Sequence, residues 1–244
     1  MLKQHSSLIA MQAADLYAKS PRKITSALIE GAWQGEECYI IGSGPSAVKI
    51  DTHKLIQGKK SIGVNLSFLQ FKTDIVYLGD VILYEWICSG MMDKHMRVPV
   101  QQQWQAFQGV RCMLTPIVPR RIREDVYLIK RADKAELTEN IGDGIYGGTN
   151  SGFGALMLAI GLGAKTINLI GFDFRYDMGM AWHKGYPRDN AKRKEENNAE
   201  YIEEMQAWAP RIATKGVNVV NLSPQSALGC FTKAQTPTPA ESCA

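Results

Sequence analysis

Four short apolar runs each end on a glycine or a small polar residue, and this recurring punctuation most constrains the fold. Glu37-Cys38-Tyr39-Ile40-Ile41 runs into Gly42-Ser43-Gly44, and Ser61-Ile62-Gly63-Val64 into Asn65. Asp74-Ile75-Val76-Tyr77-Leu78 runs into Gly79-Asp80, and Thr166-Ile167-Asn168-Leu169-Ile170 into Gly171-Phe172-Asp173. Short apolar runs without strict polar alternation suit strands buried on both faces. Further strand-like runs lie at 110–115, 126–130 and 217–222, with helical spacing at 81–95 and a charged helix at about 191–214. Strands alternating with helices specify an α/β fold: a Rossmann-like, doubly wound, mainly parallel sheet. Strand order does not follow from the pattern.

The chain divides into three parts. Residues 1–35 read as an N-terminal helical segment, its period broken at Ser20-Pro21. Residues 36–232 form the Rossmann-like domain, and 233–244 are a Pro/Thr-rich tail read as mobile. With 244 residues and 45% hydrophobic content, the chain has material for a substantial core. A net charge of +4, from 28 basic and 24 acidic residues, is too mild to indicate nucleic-acid binding. Five cysteines without a C-x-x-C pair read as free thiols and fit a reducing cytoplasm. The sequence has no apolar run long enough to span a membrane.

Three segments carry candidate chemistry. Gly42-x-Gly44-x-x-Ala47 satisfies the dinucleotide fingerprint, whose glycines permit a tight turn and close approach of a phosphate or ribose. Pro45 removes an amide, however, and the second strand ends in Asn65 where a dinucleotide site carries an acid for the ribose. Both departures turn the site away from NAD. Gly147-Gly148-Thr149-Asn150-Ser151-Gly152 precedes a small-residue helix, so it serves as an N-cap, an anion-binding loop, or both. Asp80 and Asp173 end strands at the edge where such sheets bind ligands, with helix capping as the alternative for Asp80.

His183 stands in a polar loop after the Gly171–Asp173 strand end, beside Trp182, Lys184 and Tyr186. A histidine titrating near neutrality suits a general base, and the neighbouring cation or tyrosine suits a departing phosphate, with an ordinary exposed loop histidine as the alternative on spacing alone. The Arg120-Arg121-x-Arg123 cluster reads as a solvated face. The sign-balanced run over 188–204 reads as a solvent-facing helix with local ion pairs. No H-E-x-x-H, Walker loop or G-x-S-x-G elbow occurs, which disfavours zinc-hydrolase, P-loop and serine-hydrolase chemistry.

Taken together, these segments resemble a superfamily of Rossmann-like transferases over about residues 36–232. It includes bacterial CMP-sialic-acid sialyltransferases, the Maf flagellin glycosyltransferases and the MptE-like 6-hydroxymethylpterin diphosphokinases, with many small phage relatives. The sialyltransferase resemblance implies that Gly42, Ser43, Gly44, Asn65, Thr149, Asn150, Ser151, Gly171 and Asp173 surround a nucleotide, with Asp80 nearby. It implies His183 as base, with Tyr176 and Tyr186, or Lys184, on the leaving phosphate. Ser43 departs from the asparagine common in that family's loop. The implied function is a glycosyltransferase moving a sugar from a CMP-sugar or other nucleotide donor to a hydroxyl acceptor by direct displacement. The diphosphokinase resemblance implies ATP with Mg2+, Asp80 and Asp173 near the metal, and a pterin stacked near Trp182. A non-catalytic phage nucleotide-binding protein is the third reading; a homo-oligomer is left open.

Overall fold

A computed structural model describes residues 31–90, 97–115, 126–138, 140–175, 177–179, 181–183 and 191–234. The N-terminal helices, the arginine cluster at 120–123 and the tail beyond 234 lie outside the described residues.

The punctuated runs form strands β1 (Glu37–Ile41), β2 (Lys60–Val64), β3 (Ile75–Leu78) and β6 (Thr166–Ile170). With β4 (Val110–Thr115), β5 (Val126–Lys130), β7 (Asn218–Asn221) and β8 (Thr232–Lys233) they build one eight-stranded sheet. Every neighbouring pair is parallel, in the order β5-β4-β3-β2-β1-β6-β7-β8. The chain steps outward from β1 to β5, then crosses back to lay β6 against the other side of β1. The strand order therefore reverses between β1 and β6, where loops leaving the two carboxyl ends diverge and open a crevice.

Burial on both faces explains why the strands lack polar alternation. Successive side chains point to opposite faces. Cys38 and Ile40 of β1 join one core cluster, while Tyr39 and Ile41 join another on the far side. Asn168 is the polar exception in β6; its amide donates to Glu37 Oε1 at 2.9 Å, which satisfies it while buried.

Helices cover both faces. On one lie α1 (Thr52–Ile56), α2 (Val81–Ser89) and α3 (Arg97–Ala106). Leu83, Tyr84 and Ile87 of α2 and Val100 and Trp104 of α3 pack on Val76, Leu78, Met113 and Leu128. On the other lie α4 (Ser151–Gly161) and α5 (Ala191–Thr214). Residues Phe153 to Ala159 of α4 are buried without interruption, so the helix is apolar all round, as a helix sunk in a core must be. Met205, Trp208 and Ile212 form the inward stripe of α5.

The structure departs from the sequence reading in three places. Helix α2 stops at Gly90, which adopts a left-handed C-cap with φ 71°, so the helix expected over 81–95 ends early. Helix α3 was not anticipated, because Val100 and Trp104 alone give its inward face a period. Lys233 belongs to β8 and not to the tail; a two-residue strand has no periodicity to read.

Burial also sets the thiol chemistry. Desolvation, helped by the Glu37 charge, pushes the Cys38 thiol up to about 12, and desolvation raises Cys112 further still. Their thiolates, the reactive forms, are absent at neutral pH. A disulfide reagent at pH 8 is expected to leave Cys38 and Cys112 unmodified in the native protein and to modify both in denaturant. Labelling of either native residue, read by peptide mass, would show that the strands open locally.

Candidate active site

The crevice between β1 and β6 holds a cleft of about 460 Å³. Its lining comes from three segments in turn: Gly42–Pro45 after β1, Gly147–Gly152 before α4, and Gly171–Arg175 after β6. Asn65, Gly79 and Asp80 close it from the ends of β2 and β3. All ten residues expected on the nucleotide side line this one cleft, although they are spread from 42 to 173. The volume falls within the range of about 300–1,000 Å³ usual for small-molecule sites.

The first glycine loop is built differently from a phosphate-binding turn. Gly42 N donates to Ile170 O at 2.8 Å and Gly44 N to Gly171 O at 2.9 Å, so these amides extend the contact between β1 and β6. A methyl at Gly44 would lie 2.6 Å from Gly171 O and would overlap the Asp173 carboxylate. These glycines admit the neighbouring strand end, and they line the cleft as well. The next free-standing amide, Ser46 N, donates to Asp173 Oδ2 at 2.8 Å. Ser46 Oγ pairs with Ser223 Oγ at 2.8 Å, and Ser223 Oγ accepts from Gly171 N at 3.1 Å.

Asp173 is 2% exposed, and its Oδ1 is buried with no hydrogen-bond partner among the described residues. Asn150 Nδ2 is likewise buried with no hydrogen-bond partner among the described residues. Its other amide atom, Oδ1, accepts from Phe153 N at 2.9 Å and caps α4. A buried acceptor and a buried donor are thus left over in one cleft. An unpaired polar group buried inside a protein is costly.

The remaining expected residues divide between building and lining. Asn65, in a left-handed conformation at φ 55°, donates to Ser151 Oγ at 3.2 Å and accepts from Gly79 N at 3.4 Å. It ties the ends of β2 and β3 to the start of α4. Asp80 Oδ1 accepts from Ile82 N at 2.7 Å, so this acid caps α2. No group of three or more His, Cys, Asp or Glu side chains among the described residues is arranged to hold a metal ion.

His183 reaches the first glycine loop. Its Nε2 lies 3.3 Å from Ser43 Oγ. The preceding residue anchors it: Trp182 N donates to Ser43 O at 3.0 Å, and the indole packs edge-on against Phe71 at 5.6 Å. Tyr176, Lys184 and Tyr186 lie outside the described residues.

Five residues near the cleft were not anticipated. Arg131 follows β5 directly and donates from Nη2 to Gly148 O at 2.7 Å. Arg175 lines the cleft two residues beyond Asp173; its guanidinium is paired with Asp177. The hydrogen bond from Arg175 holds the exposed Asp177 carboxyl below its usual range and raises the guanidinium. Asn198 and Tyr201 of α5 line the cleft, and Glu204, one turn further, accepts from Thr149. The reading of 188–204 as a solvent-facing helix is corrected at these three positions. The two arginines were legible in principle from their places after strand ends. The α5 residues were not, since a balanced charge pattern does not say which face meets a neighbour.

No family model and no curated protein matches the chain. Among solved structures, it is similar to the sialyltransferase CST-II of Campylobacter jejuni in complex with a trisaccharide acceptor and CMP. That match covers 83% of this chain and 87% of the other, at 17% identity and a TM-score of 0.50. A second similar structure is the monofunctional α-2,3-sialyltransferase Cst-I from the same organism, with 81% and 79% of the two chains covered, 20% identity and a TM-score of 0.47. At 17% identity the likeness to CST-II is a likeness of fold.

Asp173 separates the structural from the ligand-facing role of the cleft. Asp173→Ala strands the Ser46 amide and is expected to cost about 1–3 kcal/mol of stability. Asp173→Asn keeps an acceptor for that amide and is expected to lie much closer to the parent. Urea midpoints of the two variants check this, and equal losses would refute the assignment of Oδ2 to the Ser46 contact.

Proposed function

We propose that this chain is a nucleotide-dependent transferase, a glycosyltransferase that moves a sugar from a CMP-sugar-like donor to a hydroxyl acceptor. The observation that carries the reading is the cleft at the β1–β6 crevice, which Gly42, Ser43, Gly44, Asn65, Thr149, Asn150, Ser151, Gly171 and Asp173 line together. The fold shared with CST-II, which is in complex with CMP and a trisaccharide acceptor, supports the same choice of ligand.

In this reading Asp173 Oδ1 and Asn150 Nδ2 take polar groups of the nucleotide. Gly42, Gly44 and Gly171 shape the wall, and Asn65 and Ser151 hold the far side of the cleft. Ser43 faces the reacting end. Arg175 meets the phosphate, because it is the cation on the strand end that also carries Asp173. Tyr176, Tyr186 and Lys184 are proposed to assist it. His183, held at Ser43, takes the proton of the acceptor hydroxyl. The acceptor oxygen bonds to the anomeric carbon as the bond to the phosphate oxygen breaks. The electron pair leaves with the nucleotide, and the direct displacement inverts the anomeric centre.

The test is a thermal-shift series with CMP, CDP, UDP, GDP, ADP and ATP, with and without magnesium. Binding adds about 2.7 kcal/mol at a ligand concentration a hundredfold above Kd, so a true ligand raises Tm. CMP is expected to stabilise without magnesium. A shift seen only for ATP with magnesium would favour diphosphoryl transfer, and no shift from any nucleotide would overturn the reading. His183→Ala is expected to keep the CMP shift while losing about 10²–10⁴-fold in turnover of a CMP-sugar, the usual span for a general base. Unchanged turnover would remove His183 from the chemistry.

A further inference from the structure

The loop before α4 has the glycines and the helix start of an anion site, but a protein anion already stands on it. Thr149 N donates to Glu204 Oε2 at 2.8 Å, and Thr149 Oγ1 donates to the same oxygen at 2.6 Å. Gly148 makes the approach possible: a methyl there would lie 2.6 Å from Glu204 Oε2 and 2.9 Å from its carboxyl carbon. Gly148 has φ 60°, so the turn needs glycine on conformational grounds as well. The carboxylate comes from α5, whose preceding turns bring Tyr201 and Asn198 to the cleft.

Charge at this wall is nearly balanced. Arg131 donates to Gly148 O from the neighbouring side, so one guanidinium and one carboxylate flank two consecutive residues of the loop. A phosphate approaching the Thr149 amide meets an oxygen already seated there and a like charge. The Thr149 amide and hydroxyl are spent on Glu204, and Arg131 donates to the Gly148 carbonyl.

We propose that Glu204 is a specificity-determining residue: a built-in anion that closes the Gly147–Ser151 loop to phosphate and reserves that wall for an uncharged part of the ligand. This deepens the transferase reading and rests on it for the identity of the ligand. Base or sugar then lies along Gly148–Ser151, under the α5 turn that carries Asn198 and Tyr201. The negative end of the ligand is directed away from the α4 start.

Inorganic pyrophosphate probes the loop without needing a nucleoside site. Glu204→Gln keeps an acceptor for Thr149 but leaves Arg131 uncompensated. It is expected to bind pyrophosphate about tenfold more tightly than the parent at low ionic strength, the order of effect of one unscreened charge at a protein surface. Glu204→Ala, which also vacates the amide and hydroxyl, is expected to bind at least as tightly. Glu203→Gln, on the exposed face one residue away, removes the same net charge and is expected to bind like the parent. Titration calorimetry on each variant, with circular dichroism to confirm the fold, reads the result. Equal affinity in the parent and both Glu204 variants would overturn the proposal, as would a gain shared by Glu203→Gln. Loss of the fold in both Glu204 variants would assign the residue to stability alone and overturn it too. Failure of CMP to stabilise any form overturns the transferase reading and leaves the pyrophosphate comparison intact.

Discussion

The rest of the molecule depends on the close backbone contact between the ends of β1 and β6. Two amides from Gly42 and Gly44 reach the carbonyls of Ile170 and Gly171, and the Asp173 carboxylate closes on the Ser46 amide. A side chain at Gly44 would push these strand ends apart. The contact carries the β1–β6 pairing past the ends of the two strands, to the place where the strand order reverses and the crevice opens. The glycine fingerprint therefore acts as a packing device.

The cleft sorts its polar groups by what they have left to offer. Asn65, Asp80 and Ser46 are occupied by strand ends and helix starts. Thr149 is occupied by Glu204. Asp173 and Asn150 each keep one buried atom unpaired. Arg175 lines the cleft and pairs with Asp177, and His183 stands against Ser43 of the first glycine loop.

Helix α5 links fold to site. Its stripe of Met205, Trp208 and Ile212 seats it on the core shared with α4. That seating brings Asn198, Tyr201 and Glu204 to the cleft. One helix with a sign-balanced surface thus supplies both core packing and a wall of the site.

Much of the fold was legible because buried parallel strands leave an unmistakable mark: short apolar runs that stop on Gly, Asn or Asp. The same stops named residues that do line one cleft, since the carboxyl ends of parallel strands share an edge. Residues contributed by helices escaped, as did the two-residue β8, because neither carries a pattern tied to position in space. By itself the sequence determined the α/β class, the strand ends and the small helix that follows Asn150. Only the tertiary structure decided what each glycine and acid does there. Gly44 faces a backbone carbonyl, Asp80 a helix start, Asp173 an amide of the first glycine loop, and Glu204 a threonine 55 residues before it. The physical reason is that a hydrogen-bonding group has a limited number of bonds to make. Which partner takes them depends on which distant segments the sheet brings within 3 Å of it.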